Sequence, residues 1–147
     1  KTIRLDTWIN EKVGDNSELI LQMDIENAEW EILIDASLET LDRFKIMVIE
    51  FHNFGNYIID TSSFFFVENL FKKLTQKFHV VHLHPNNCCG EINYDEIVIP
   101  EVVEISFLNK KYSNISESKL IIPNKLDSKN IAEINDITLR PIWDLAL

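Results

Sequence analysis

The residues best suited to chemistry crowd into three short stretches. In LILQMDIENAEWEIL, Leu19 to Leu33, five of the first seven residues are apolar, and then Asp24, Glu26, Glu29 and Glu31 surround Trp30. IMVIEFH ends in Glu50 and His52, and HLHPNN carries His82, His84, Asn86 and Asn87. A carboxylate beside an imidazole is a workable general base. Alternation along a strand places Glu50 and His52 on one side, and His82 and His84 on one face. Two histidines with nearby carboxylates could bind a metal, but they lack a tight ligand spacing, and no metal is assigned. Plainer readings stand beside these. Asp24 could equally be a helix cap or turn residue. Glu26, Glu29 and Glu31 read first as solvated groups or helix-dipole partners, with Glu26 the best exception. His52 could simply satisfy a backbone carbonyl. Asn86 and Asn87 suit a turn after Pro85. Glu50 directly follows four apolar strand residues, where an unpaired carboxylate is costly, so a polar site or buried network is expected around it.

The elements that must position these groups alternate between strand-length apolar runs and segments of helical period, the pattern of an α/β sheet. Strands are predicted at Leu19 to Ile25, Lys45 to Phe51, Val80 to His84 and Val102 to Leu108, with a weaker fifth at Thr2 to Leu5. The first two are apolar on both faces, as expected for central parallel strands covered by helices on either side. VEISFL alternates well enough to be an antiparallel or edge strand, and the preceding PNNCCGEINYDEIVIPE reads as irregular. A short helix fits Ala28 to Leu38. A second, capped by Ser62 or Ser63, runs through Lys73 to Lys77, with Phe66, Leu70, Phe71 and Leu74 on one side. In open α/β sheets, ligands sit beyond the carboxyl ends of the strands. Asp24, the Glu50–His52 pair and the His84 to Asn87 stretch would then share one rim. From residue 111 to 147 the chain reads as a polar extension docking through Ile121, Ile122 and Trp143.

Composition narrows the partners. The chain has 147 residues, 46% hydrophobic, enough for one core, and a formal charge of -10. That charge disfavours nucleic acid and anionic membranes as partners. No run approaches a membrane span and no signal peptide is recognisable, which predicts a soluble, cytoplasmic protein. The two cysteines, Cys88 and Cys89, are adjacent. Neighbours rarely form a relaxed disulfide, so no cross-linked scaffold is expected, and burial is the simpler account of at least one of them. The chain opens on Lys1 rather than Met, consistent with a fragment, a processed chain or a trimmed one.

MDIENAEWEIL followed by IMVIEFH, HLHPNNCCG and PEVVEISFLNK resembles the C-terminal half of an FkbM-type methyltransferase, and TIRLDTWI resembles the piece preceding that family's acidic motif. The similarity covers Thr2 to Lys110 with order and spacing intact. The resemblance implies a Rossmann-like class I methyltransferase sheet over residues 1–110, incomplete, with its last strand antiparallel. It also implies methyl transfer from S-adenosylmethionine to a hydroxyl of a small molecule or sugar. In that reading Asp24, Glu26 and His52 are the catalytic candidates and Asp24 also meets the cofactor. Glu50, His84, Asn86 and Asn87 contact substrate. The family motif has glycine where this chain has Asn27, and Asn tolerates positive φ best after glycine. Glycine is scarce, with only Gly14, Gly55 and Gly90, each isolated. The glycine-rich loop that holds the cofactor's amino-acid part in such enzymes is therefore missing, and little activity is expected of this chain alone. Without the neighbouring first strand, the LILQM edge is predicted to pair in a homodimer or to be covered otherwise. Two other classes compete. One is a binding or assembly module without catalysis, and the other a metal-assisted hydrolase.

Overall fold

Register across four strands decides where the polar groups end up. The computed structural model describes residues 2–14, 17–114, 122 and 124–139. In chain order the elements are α1 (Leu5–Lys12), β1 (Leu19–Met23), α2 (Ala28–Asp35), α3 (Leu38–Leu41), β2 (Phe44–Phe51), α4 (Phe54–Ile59), α5 (Thr61–Thr75), β3 (Phe78–Pro85), β4 (Glu91–Tyr94), β5 (Ile97–Pro100) and β6 (Val103–Asn109). The main sheet is mixed, in the order β1-β2-β6-β3. β1 runs parallel to β2, and β6 is antiparallel to both β2 and β3. The carboxyl ends of β1, β2 and β3 therefore lie along one rim. This α/β arrangement is compatible with part of a methyltransferase-like sheet.

Alternation sorts the sheet into two faces. Met47, Ile49, Phe51, Ile105, Phe107 and Leu83 are buried. Trp30 and Phe51 lie 4.7 Å apart between ring centroids, and Phe71 contacts Phe51 at 5.5 Å, so α2 and α5 cover that face with aromatic side chains. The other face is half-buried, apolar at Ile46, Val48 and Leu108 and polar toward the rim, with Glu104 paired in register with both Glu50 and His84. Both faces were expected to be covered by helices. Instead the half-buried face meets the irregular segment 124–139, through the His82–Asp127 ion pair at 3.0 Å and hydrogen bonds of Asn87 to the backbone of Ile131 and Ile134. Ile122 packs on the core, while Ile121 and Trp143 lie outside the described residues.

Several local expectations are corrected. Thr2 to Leu5 is no strand, because Leu5 opens α1, which buries Ile9 and whose Asp6 accepts from the Ser37 amide at 3.0 Å. Helical spacing over Leu5 to Lys12 outweighs a four-residue alternation. The short helix expected within Ala28 to Leu38 is α2, which ends at Asp35, and Ser37 caps the separate α3 by accepting from the Thr40 amide at 3.1 Å. Asp60, not Ser62 or Ser63, caps α5, accepting from the Ser63 amide at 2.8 Å. Within PNNCCGEINYDEIVIPE lies a hairpin, β4 with β5, whose turn places Asp95 at φ 52. VEISFL is antiparallel but interior rather than an edge. Cys88 and Cys89 are joined to each other in an exposed turn. They link no separate elements, so no scaffold results, but neither is buried nor free. Among the described residues β1 has a strand neighbour on one side only, and Ile20 on it is 70% exposed. Among the described residues no helix is long and apolar enough to cross a membrane.

Two polar anchors fix the sheet's other end. Lys73, on α5, donates to the carbonyls of Leu33 and Ile34 at 2.9 and 2.8 Å and to that of Ala36, closing the carboxyl end of α2. Desolvation holds its pKa below the usual lysine value, with the charges of Asp6 and Asp35 opposing. Lys73→Met strands these carbonyls and costs about 1–3 kcal/mol, read as a lower urea midpoint at unchanged m. Asp42 takes hydrogen bonds from Lys111 and Asn109. Desolvation would raise its pKa, but those bonds, with the charges of Lys111 and Lys77, outweigh burial and lower it below 3.8. Its stabilisation is then complete above the unfolded aspartate value and fades as pH falls through the lower folded one. Asp42→Asn should lower the melting temperature at neutral pH and flatten its fall below about pH 4, measured by thermal scans across pH.

Candidate functional site

The site is built on a turn that follows β2. At the end of β1 the chain passes through Asp24 and Ile25, and then Glu26 and Asn27 take left-handed conformations at φ 54 and 81 before α2 begins. Asn27 thus adopts positive φ where the family motif carries glycine, as its chemistry allows. At the end of β2, Asn53 is also left-handed, φ 55, and its side-chain amide donates to the Asn27 side chain at 2.9 Å. Two strand exits are thereby tied together. The residue between β2 and Asn53 is His52.

Three hydrogen bonds fix that histidine. Its backbone N–H donates to Glu29 Oε1 at 2.7 Å, its Nδ1 contacts the same oxygen at 3.1 Å, and its carbonyl accepts from Trp30 Nε1 at 2.8 Å. Glu29 is completely buried, contrary to its reading as a solvated dipole partner. Trp30 and Leu33, three apart on α2, define the buried side, and Glu29, four residues before Leu33, lies next to Leu33 at the border of that side. That spacing was the available signal for Glu29, and it was outweighed by the abundance of acids nearby.

An ionised carboxylate can only accept, so Nδ1 is the donating nitrogen and Nε2 faces outward. Around Nε2 stand Glu26 Oε2 at 3.6 Å, Asp24 Oδ1 at 3.7 Å and Glu50 Oε2 at 3.8 Å. Glu50 is further held by Asn86, whose amide donates to Oε1 at 2.6 Å. The structure therefore brings Asp24, Glu26, Glu50, His52 and Asn86 together. Asn87 is buried but turned to the segment at Ile131 and Ile134. His84 shares a register position with Glu104, and its ring lies parallel to that of His82, centroids 6.4 Å apart. No hydrogen bond or ion pair links either His84 or Asn87 to His52 among the described residues. Glu104, which sequence reading passed over, sits between Glu50 and His84 because β6 is interior.

Chemically, the arrangement offers one imidazole lone pair with a fixed direction, bordered by carboxylates. It can take a proton, accept hydrogen bonds from hydroxyls or bind a cation. A nucleotide-sulfonium cofactor fits these residues only in part. The acidic rim suits cationic and hydroxyl groups, but no glycine opens a cradle beside it. Gly55, nearest in sequence to the rim, has its Cβ position filled by Ile92 Cδ1, the Pro100 carbonyl and Glu101 at 3.1–3.3 Å.

No curated protein and no solved structure matches the chain. A family model, that of the FkbM methyltransferase domain, matches residues 1–79, a segment that contains Asp24, Glu26, Glu29, Glu50 and His52. The match spans more than half of the sequence, and the chain belongs to the FkbM methyltransferase domain family.

Proposed function

We propose that the chain carries the acceptor side of an S-adenosylmethionine-dependent methyltransferase acting on a hydroxyl of a small molecule or sugar. The observation that carries the reading is the convergence of Asp24, Glu26 and His52 at the carboxyl ends of β1 and β2, inside the segment that matches the family. The interior antiparallel β6 further supports the C-terminal half of a class I methyltransferase sheet. The cofactor, when bound, supplies an electrophilic methyl group.

The chain's own residues do the rest. His52 Nε2 accepts the proton of the acceptor hydroxyl, and the Glu29 carboxylate on Nδ1 stabilises the resulting imidazolium. Glu50, immobilised by Asn86, receives a second hydroxyl of the acceptor and sets its approach. The charge of the rim favours neutral or cationic acceptors over phosphorylated ones. A second reading, a binding module without catalysis, is favoured by the scarcity of glycine, since the three glycines are isolated in the sequence and Gly55 is closely packed.

Two measurements separate these readings. Calorimetric titration with S-adenosylmethionine should show weak or no binding to this chain, with binding restored when a glycine-rich strand-turn segment of a related enzyme is supplied. No binding in either case favours the module. In the protein so completed, His52→Ala should lower kcat by about 10²–10⁴-fold at unchanged cofactor affinity. Glu29→Ala should lower kcat as well and also cost about 2–3 kcal/mol of stability, since the His52 amide is left without an acceptor. Full activity in His52→Ala would remove the proposed base.

A further inference from the structure

Four carboxylates gather on one imidazole. Glu26, Asp24 and Glu50 stand 3.6, 3.7 and 3.8 Å from His52 Nε2, and Glu29 stands 3.1 Å from Nδ1. The three outer distances are too long for hydrogen bonds, since N–H···O contacts fall at about 2.7–3.2 Å. A proton on Nε2 would therefore bond well to none of them. Among the described residues no lysine or arginine pairs with any of the four acids, and the imidazole carries at most one positive charge. Like charges this close repel, more strongly where water is partly excluded.

Glu29 adds an independent sign. Its side chain is completely buried and directed at His52 through Oε1, yet its other oxygen, Oε2, has no hydrogen-bond partner among the described residues. A buried carboxylate with half its lone pairs unmet calls for positive charge nearby. One ligand atom from each of Asp24, Glu26 and His52 lies within 4.8 Å of the others. Ligands that approach a metal to about 2.0–2.2 Å can themselves be up to about 4 Å apart, so the observed 3.6 and 3.7 Å separations admit an ion between them.

We propose that Asp24, Glu26 and His52 form a binding site for a divalent metal ion, with Glu50 on its border and Glu29 as the positioning residue that fixes the imidazole. A carboxylate on the far nitrogen of a metal-binding histidine sets its tautomer and raises its basicity, which is the place Glu29 occupies. One imidazole with two carboxylates suits Mn²⁺ or Zn²⁺ better than Mg²⁺, which prefers oxygen alone. Occupancy changes the role of His52. An imidazole that gives its Nε2 lone pair to a metal has none for a proton, so the acceptor hydroxyl would be polarised by the cation instead. The site stands on these side chains and does not require that the chain transfer methyl groups.

Mn²⁺ is the probe of choice, because it is hard enough to pass over the cysteine sulfurs at Cys88 and Cys89 and its free form is counted by electron paramagnetic resonance. Titration of the chain, stripped by chelator, should show one Mn²⁺ bound per molecule. Asp24→Asn, Glu26→Gln and His52→Ala should each weaken it by at least about 10-fold, and Glu29→Gln by about 10–100-fold. Glu31→Gln, an exposed acid on α2, should leave binding unchanged. If His52→Ala fails to fold by circular dichroism, Asp24→Asn and Glu26→Gln decide, since those side chains are 55% and 84% exposed. Absence of saturable uptake, or a loss in Glu31→Gln equal to that in the named ligands, overturns the site. Metal binding without any cofactor affinity in the completed protein would retain this inference and remove the methyl-transfer reading. The opposite pair of results would do the reverse.

Discussion

The buried carboxylate of Glu29 is the constraint on which this structure's rim depends. It is expensive to place a carboxylate in a core, and here the cost is offset by two contacts from one residue, the backbone amide and Nδ1 of His52. Trp30, the next residue on α2, takes the His52 carbonyl. Adjacent side chains of one helix thus fix both backbone polar groups and the ring of a residue that has just left the sheet. The turn has no freedom to present the imidazole elsewhere.

From that clamp the remaining geometry follows. Since α2 must bury Trp30 against Phe51 and Tyr57, its position over the sheet is set by aromatic packing. Since β1 and β2 are parallel and their exits are joined through Asn27 and Asn53, Asp24 and Glu26 arrive at the same height as His52. Left-handed backbone at three residues in two connections, Glu26 and Asn27 after β1 and Asn53 after β2, is the local cost of turning both strands sharply at the rim. Glu50 is approached from the other side by Asn86, at the end of β3, which the antiparallel β6 separates from β2. Acids brought together in this way resist each other, and the fold holds them by packing beneath rather than by pairing among themselves.

Much of this was legible in the residues. The strands came from apolar runs whose length left little choice, and the shared rim of Asp24, Glu50, His52 and Asn86 followed from parallel strands ending in polar residues. Other features were hidden for physical reasons. Glu29 looked like one more surface acid, because charge dominates a short helix read as a row of letters, whereas its angle relative to Trp30 and Leu33 decides its burial. Asn87 and Asn86 are adjacent, yet one meets Glu50 and the other the 131–134 backbone, a division that only the turn's three-dimensional path determines. The β4–β5 hairpin escaped notice because its turn uses Asp95 rather than the usual Asn-Gly or Asp-Gly pair. Thr2 to Leu5 misled because four alternating residues carry less information than the helical spacing they overlap.

The most direct test of the clamp is the proton position on His52, read by nitrogen-15 correlation spectroscopy of the imidazole at neutral pH with chelator present. The account predicts a proton on Nδ1, slow to exchange and lost from its shifted position in Glu29→Ala. A neutral ring protonated on Nε2, or a ring signal averaged by free rotation and indifferent to Glu29, would contradict it.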